Sequence, residues 1–115
     1  MKKSSFLELV FLENLKKSTN CHLDTQASDL PGTPDILIRD IKLVIFINGC
    51  YWHGHNCISK HSASFDQDRE INIIRKLKSQ GYCVLIIWEC DILKDIDACI
   101  VRAKSYIKSL SQNLE

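Results

Sequence analysis

Five successive apolar residues, Leu43-Val44-Ile45-Phe46-Ile47, end abruptly at Asn48-Gly49-Cys50-Tyr51-Trp52-His53-Gly54-His55-Asn56-Cys57. A short β-branched and aromatic run bounded by turn residues reads as a buried strand. The fold must therefore bury this segment and carry the loop that follows at its end. Within that loop two thiols and two imidazoles fall inside eight residues, beside two large aromatics that a tight, glycine-bracketed turn cannot easily bury. The loop has the composition of a site.

At 115 residues the chain is expected to form one domain, 1–115, with a single modest core. Its formal net charge of +1 gives no global signal for nucleic acid, so any phosphate binding must be local. The apolar stretch after Met1-Lys2-Lys3-Ser4-Ser5 is interrupted by Glu8 and Glu13, which fits neither a signal peptide nor a membrane span. A cytoplasmic location and no membrane partner are expected. In that reducing compartment the six cysteines read as metal ligands or small core residues rather than as a disulfide framework.

Phe6, Leu7, Val10, Phe11 and Leu15 recur at helical intervals, and Lys16-Lys17 close the pattern. The polar stretch Ser18 to Ser28 reads as a loop or one short extended piece. Leu30-Pro31-Gly32-Thr33-Pro34-Asp35 is a stiff, turn-rich entry that delivers Asp35 rigidly to the next segment. Ile36-Leu37-Ile38 and Leu43 to Ile47 then read as an antiparallel hairpin. A second helix is predicted from Asp66 to Gln80 on Ile71, Ile74 and Leu77, with Ile73 flanking and Gly81 as its stop. Cys83 to Trp88 reads as a central strand, and a last helix, capped by Asp91, carries Ile96, Cys99, Ile100, Ala103 and Ile107. The order helix, strand, strand, helix, strand, helix predicts a small α/β sandwich with a mixed sheet.

Cys50, His55, Cys57 and Cys90 form the sharpest constellation. Zinc takes four nitrogen or sulfur ligands, and three thiolates with one imidazole make a closed structural site. Such an ion would staple the loop to the end of the last strand. His53 can replace His55 in this set, or stand free as a base near neutral pH. Asp35 is a turn residue by composition, but the hairpin sets it opposite the end of its partner strand, beside Asn48, where one or two carboxylates suit magnesium. Glu8, Glu70 and Glu89 are candidate helpers, each with a solvated charge as the plainer reading. Tyr51 and Trp52 either cover the metal loop or act as wedges between bases. His22 and His61 read as surface residues, Cys83 and Cys99 as core filler.

Leu30-Pro31-Gly32-Thr33-Pro34-Asp35, Val44-Ile45-Phe46 leading into Gly49-Cys50-Tyr51-Trp52-His53-x-His55-x-Cys57, and Gly81-Tyr82-x-Val84-Leu85-x-Ile87-Trp88-Glu89-Cys90 together resemble the Vsr family of very-short-patch-repair DNA mismatch endonucleases, as a compact member with a short N-terminus. The resemblance implies a restriction-endonuclease-like three-layer sandwich: a mixed sheet flanked by helices, with a structural zinc site. It further implies magnesium-dependent nicking of one strand next to a T·G mismatch in double-stranded DNA. On that resemblance Asp35 and the Ile47 carbonyl bind catalytic Mg2+, His53 is the general base, and Glu70 orients it. Glu8 is the acidic residue of the first core helix. Cys50, His55, Cys57 and Cys90 bind structural Zn2+, and Tyr51 and Trp52 enter the DNA beside the mismatch. Asn48 stands where the family has an active-site histidine. The expected working form is a monomer, with repair proteins as further candidate partners. Two other readings share the core: a zinc-stabilised DNA-binding module of weakened catalysis, and a restriction-type or phage endonuclease.

Overall fold

The computed structural model describes residues 6–49 and 67–112. In chain order these form α1 (Phe6–Ser18), β1 (Asp24–Thr25), β2 (Ile36–Ile38), a 3-10 turn (Arg39–Ile41), β3 (Leu43–Asn48), α2 (Gln67–Ser79), β4 (Cys83–Trp88) and α3 (Glu89–Gln112). The architecture is α/β, with a mixed four-stranded sheet ordered β1-β2-β3-β4.

β2 pairs antiparallel with β3, Ile36 facing Ile45 and Ile38 facing Leu43. The expected hairpin is present. Its turn closes through Lys42, whose left-handed backbone (φ 52) lets its amide donate to the Arg39 carbonyl at 3.2 Å. β3 then pairs parallel with β4 from Leu43 and Cys83 to Asn48 and Trp88. Two parallel neighbours need a crossover, and the one here contains α2.

All six residues of β3 are buried because helices cover both faces of the sheet. Leu43, Ile45 and Ile47 point into one core with Phe11 and Leu15 of α1 and Ile92, Ile100 and Ala103 of α3. Val44 and Phe46 point the other way, into a second core with Leu37, Ala27 and Leu77 of α2. The alternation along β3 thus divides the interior into two halves.

Three helices sit where the periodicity predicts them, but their inner faces differ in detail. In α1 the buried stripe is Glu8, Phe11 and Leu15, while Phe6 is 78% exposed. A carboxylate occupies the place expected for an apolar residue, and Glu8 is not the solvated charge that its type suggests. In α2, Ile73 and Leu77 meet the sheet while Ile71 turns outward. Gly81 (φ 89) ends α2 as predicted, with Tyr82 N–H donating to the Leu77 carbonyl and Gly81 N–H to the Lys78 carbonyl, each at 3.0 Å.

Two expectations are corrected. β4 lies at one end of the described sheet rather than at its centre. Its unbroken apolarity reflects helices on both faces, a requirement that an end strand shares with a central one. The last helix begins at Glu89, directly after β4, and Asp91 does not cap it. The break falls at Asp95 (φ −162, ψ 88), whose Oδ1 accepts the Ala98 N–H at 3.1 Å and so caps the long second half. Cys99 is core filler as expected, and burial pushes its thiol up, with Asp91 adding to the effect. Cys83 is only half-buried. Among the described residues no helix is long and apolar enough to cross a membrane.

Two predictions follow from this packing. A methyl group on Gly32 (φ 76) would lie 2.6 Å from Ile73 Cγ2, so Gly32→Ala should destabilise the fold by about 1–3 kcal/mol in urea unfolding. Arg39 donates to Asp24 at 2.7 Å and to Asp29 at 3.2 Å and holds both carboxyls below their ordinary value of 3.8. Depressed carboxyls stabilise the fold above that value and lose the contribution as pH falls through their lowered range. Arg39→Met should therefore lower the urea midpoint slightly at neutral pH and leave it unchanged in strong acid.

Candidate active site

The hairpin register brings Asp35, the residue before β2, alongside the C-terminal end of β3. Asp35 is 1% exposed, and its Oδ2 accepts the Ile47 N–H at 2.7 Å. A carboxylate buried this deeply needs several donors, and charge-assisted bonds from backbone amides are among the strongest. The turn-rich entry supplies the rigidity: Leu30 N–H donates to the Ala27 carbonyl and Thr33 N–H to the Leu30 carbonyl, each at 3.1 Å. Gly32 packs this loop directly against Ile73 of α2.

Glu8 reaches the same place from α1. It is 6% exposed, and Gln26 links it to Asp35: the Gln26 Nε2 donates to Glu8 Oε2 at 3.0 Å and to Asp35 Oδ1 at 3.3 Å. One amide thus sits between two buried carboxylates that would otherwise repel each other. The sequence pattern missed Gln26, which lies in the polar stretch after α1. Nothing in residue type or periodicity marks it, because its role arises from contacts 18 and 9 residues away.

The other site residues fall into two groups. Asn48 ends β3 opposite Trp88 and is 3% exposed. Ile47, whose carbonyl the resemblance offers to magnesium, is tied to Asp35 through its amide. Glu70 is half-buried on the first turn of α2, and Glu89 and Cys90 are half-buried on the first turn of α3. Cys50, Tyr51, Trp52, His53, His55, Cys57 and His61 lie outside the described residues. Of the zinc set only Cys90 is described, at the junction of β4 and α3 as the sequence suggests. Among the described residues no group of three or more His, Cys, Asp or Glu side chains gathers to hold a metal. His22 is exposed, as expected, and bonds to Asp24 at 2.9 Å.

An open cleft of about 590 Å³ runs between Pro31-Gly32 and α2, where Arg69, Asn72 and Lys76 line it together with Asp68. It shares Pro31-Gly32 with the loop that leads into Asp35, and its charged lining is Arg69 and Lys76 against Asp68.

The profile of the family described as "DNA mismatch endonuclease Vsr" matches residues 8–59. That span begins at the buried Glu8 and includes Gln26, Asp35, Asn48 and the whole Cys/His run. The type II nicking enzyme V.XorIIP of Xanthomonas oryzae pv. oryzae is 32% identical over 90 residues, covering 69% of this chain and 65% of the relative. V.NmeAIP of Neisseria meningitidis is 31% identical over 90 residues, covering 69% and 64%. The DNA mismatch endonuclease Vsr of Escherichia coli K12 is 35% identical over 78 residues, covering 56% and 49%. The aligned part therefore spans about half to two thirds of these relatives' lengths. Over 56–69% of its length, a stretch that carries the mixed sheet and the buried carboxylate at a strand end, the chain is thus similar to proteins named as nicking enzymes and as a mismatch endonuclease. The family whose profile it matches, over residues 8–59, is Vsr.

The Asp35 bond to Ile47 gives a test of its own. Asp35→Asn keeps an oxygen for the Ile47 amide, whereas Asp35→Ala strands that buried donor. The alanine variant should be less stable than the asparagine variant by about 1–3 kcal/mol in urea unfolding.

Proposed function

We propose that this chain is a magnesium-dependent DNA endonuclease that nicks one strand of a duplex next to a T·G mismatch, as a step of very short patch repair. The observation that carries the reading is the buried Asp35, fixed through Ile47 at the end of β3 and joined by Glu8, within the segment matched to Vsr. The relatives named type II nicking enzymes and the one named mismatch endonuclease support the same chemistry.

The donor set suits the ion. Carboxylate and carbonyl oxygens are hard ligands of the kind magnesium takes, and few enough that water and phosphate oxygens complete its shell. Asp35 and the Ile47 carbonyl would hold it, with Glu8 in support, and it would supply charge stabilisation at the phosphate and the leaving oxygen. His53 removes a proton from water, and the resulting nucleophile attacks phosphorus to leave a 5′-phosphate and a 3′-hydroxyl. Glu70 orients the imidazole. Asn48 offers an amide where the family has an imidazole, so it donates hydrogen bonds to the reacting phosphate but adds no positive charge.

Cys50, His55, Cys57 and Cys90 bind zinc as a closed structural set, pinning the loop after β3 to the start of α3. On this reading residues 1–115 form one restriction-endonuclease-like domain, a three-layer sandwich acting as a monomer in the cytoplasm. Tyr51 and Trp52 enter the duplex beside the mismatch. The cleft along Arg69, Asn72 and Lys76 takes a neighbouring stretch of phosphate backbone.

The test is nicking of end-labelled duplexes, one with a T·G mismatch and one fully paired, with and without Mg2+. The expected result is a Mg2+-dependent nick in the mismatched duplex alone, reduced about 10²-fold or more in Asp35→Asn with its fold and zinc content intact. Equal cutting of both duplexes would replace the repair reading with a restriction-type nuclease. An absence of cutting by folded, zinc-loaded protein would leave a DNA-binding module.

A further inference from the structure

Gln26 is held in a backbone conformation that side-chain-bearing residues seldom adopt, and the strain coincides with the site. Its φ is 49, in the left-handed region, at the point where the pairing of β1 with β2 runs out. Non-glycine residues there cost of the order of 1 kcal/mol or more, and an outlier of this kind persists only where its surroundings fix it.

Here the surroundings do so twice. The Gln26 N–H donates to the Asp35 carbonyl at 3.1 Å and the next amide, of Ala27, to the Pro34 carbonyl at 3.0 Å. In an extended strand successive amides face opposite ways, so the left-handed turn at Gln26 is what allows both to grip the Pro34-Asp35 segment. The side chain then spans from Asp35 Oδ1 to Glu8 Oε2. Main chain and side chain of one residue thus hold the backbone of Asp35, one oxygen of its carboxylate, and the carboxylate of Glu8.

We infer that Gln26 is a positioning residue for the divalent cation, setting the spacing and orientation of the Asp35 and Glu8 carboxylates before the ion arrives. The inference rests on the magnesium reading of the site given above. Its physical content is preorganisation. Two like charges brought together in a buried place drift apart or take up protons unless a donor lies between them, and a primary amide has two N–H groups to give. Groups that orient metal ligands without touching the metal typically matter 10- to 100-fold for affinity. A role confined to fold stability would alter the melting temperature and leave cation affinity alone.

The experiment uses the full chain and two cations. Mn2+ binding is measured directly by calorimetry, and Mg2+ dependence is read from nicking of the mismatched duplex. Gln26→Met keeps an unbranched side chain of similar length and removes the donors. It is expected to weaken Mn2+ binding about tenfold and to raise the Mg2+ midpoint of nicking by a similar factor, with the KM for DNA at saturating Mg2+ unchanged. If Gln26→Met does not fold, Gln26→Asn carries the test, since it tolerates the left-handed backbone but is one methylene too short to span both carboxylates. Weakened Mn2+ binding in that variant supports the role. Wild-type Mn2+ affinity in a folded variant overturns it, as does a wild-type chain that binds no Mn2+. If Mn2+ binding weakens as expected but neither protein nicks DNA, the endonuclease reading fails while the role of Gln26 in cation binding stands.

Discussion

β3 is buried along its whole length, no residue of it more than 8% exposed, and the elements around it are placed by that fact. A strand buried on both faces and both sides needs a partner on each edge and a helix layer above and below. β2 and β4 supply the edges; α1 with α3 and α2 supply the layers. Asp35, Asn48 and the first turns of α2 and α3 converge toward the strand's C-terminal end because parallel pairing of β3 and β4 sends both chains out in the same direction. A site at the carboxyl end of parallel strands is a consequence of the connection, independent of what the site does.

Much of this was legible in the residues. The unbroken apolar runs at Leu43 to Ile47 and Cys83 to Trp88 fixed two strands, and Gly81 marked a helix end with the hydrogen bonds that glycine permits there. The rigid delivery of Asp35 was legible in the two prolines and the glycine before it, and its place alongside the end of β3 in the hairpin pattern. What the residues concealed were tertiary choices. Whether an apolar strand lies inside or at the end of a sheet depends on pairing partners, and sandwiched strands look alike in both positions. Glu8 reads as a surface charge from its type, since the donor that helps make its burial tolerable, Gln26, lies 18 residues away in a polar stretch. The cap of α3 was misplaced because Asp91 and Asp95 are the same residue type four positions apart, and the break between them is set by how the helix leaves β4.

The described part of the site has an economy of means. Three buried polar side chains, Glu8, Asp35 and Asn48, are charted within the core, and the first two share a donor in Gln26. Burying carboxylates costs far more than burying an amide, so the surrounding hydrophobic cores must offset a local penalty. The division of the interior by β3 places the carboxylate pair at the rim of one core, where Phe11 and Leu15 anchor α1 one turn and more beyond Glu8. The same helix face thus does two tasks, holding the layer and presenting a charge.

The parallel ladder between β3 and β4 carries a kinetic consequence. Each of its register pairs, from Leu43 with Cys83 to Asn48 with Trp88, joins residues forty positions apart. The hairpin of β2 and β3 joins residues only a few positions apart and closes through one short turn. Loop-closure entropy therefore favours the hairpin as the early structure, with α2 and β4 docking onto it afterwards at a greater entropic cost. Ile47 lies in that hairpin and Asp35 directly precedes it, so the bond that fixes the central carboxylate can form while the sheet is still half built.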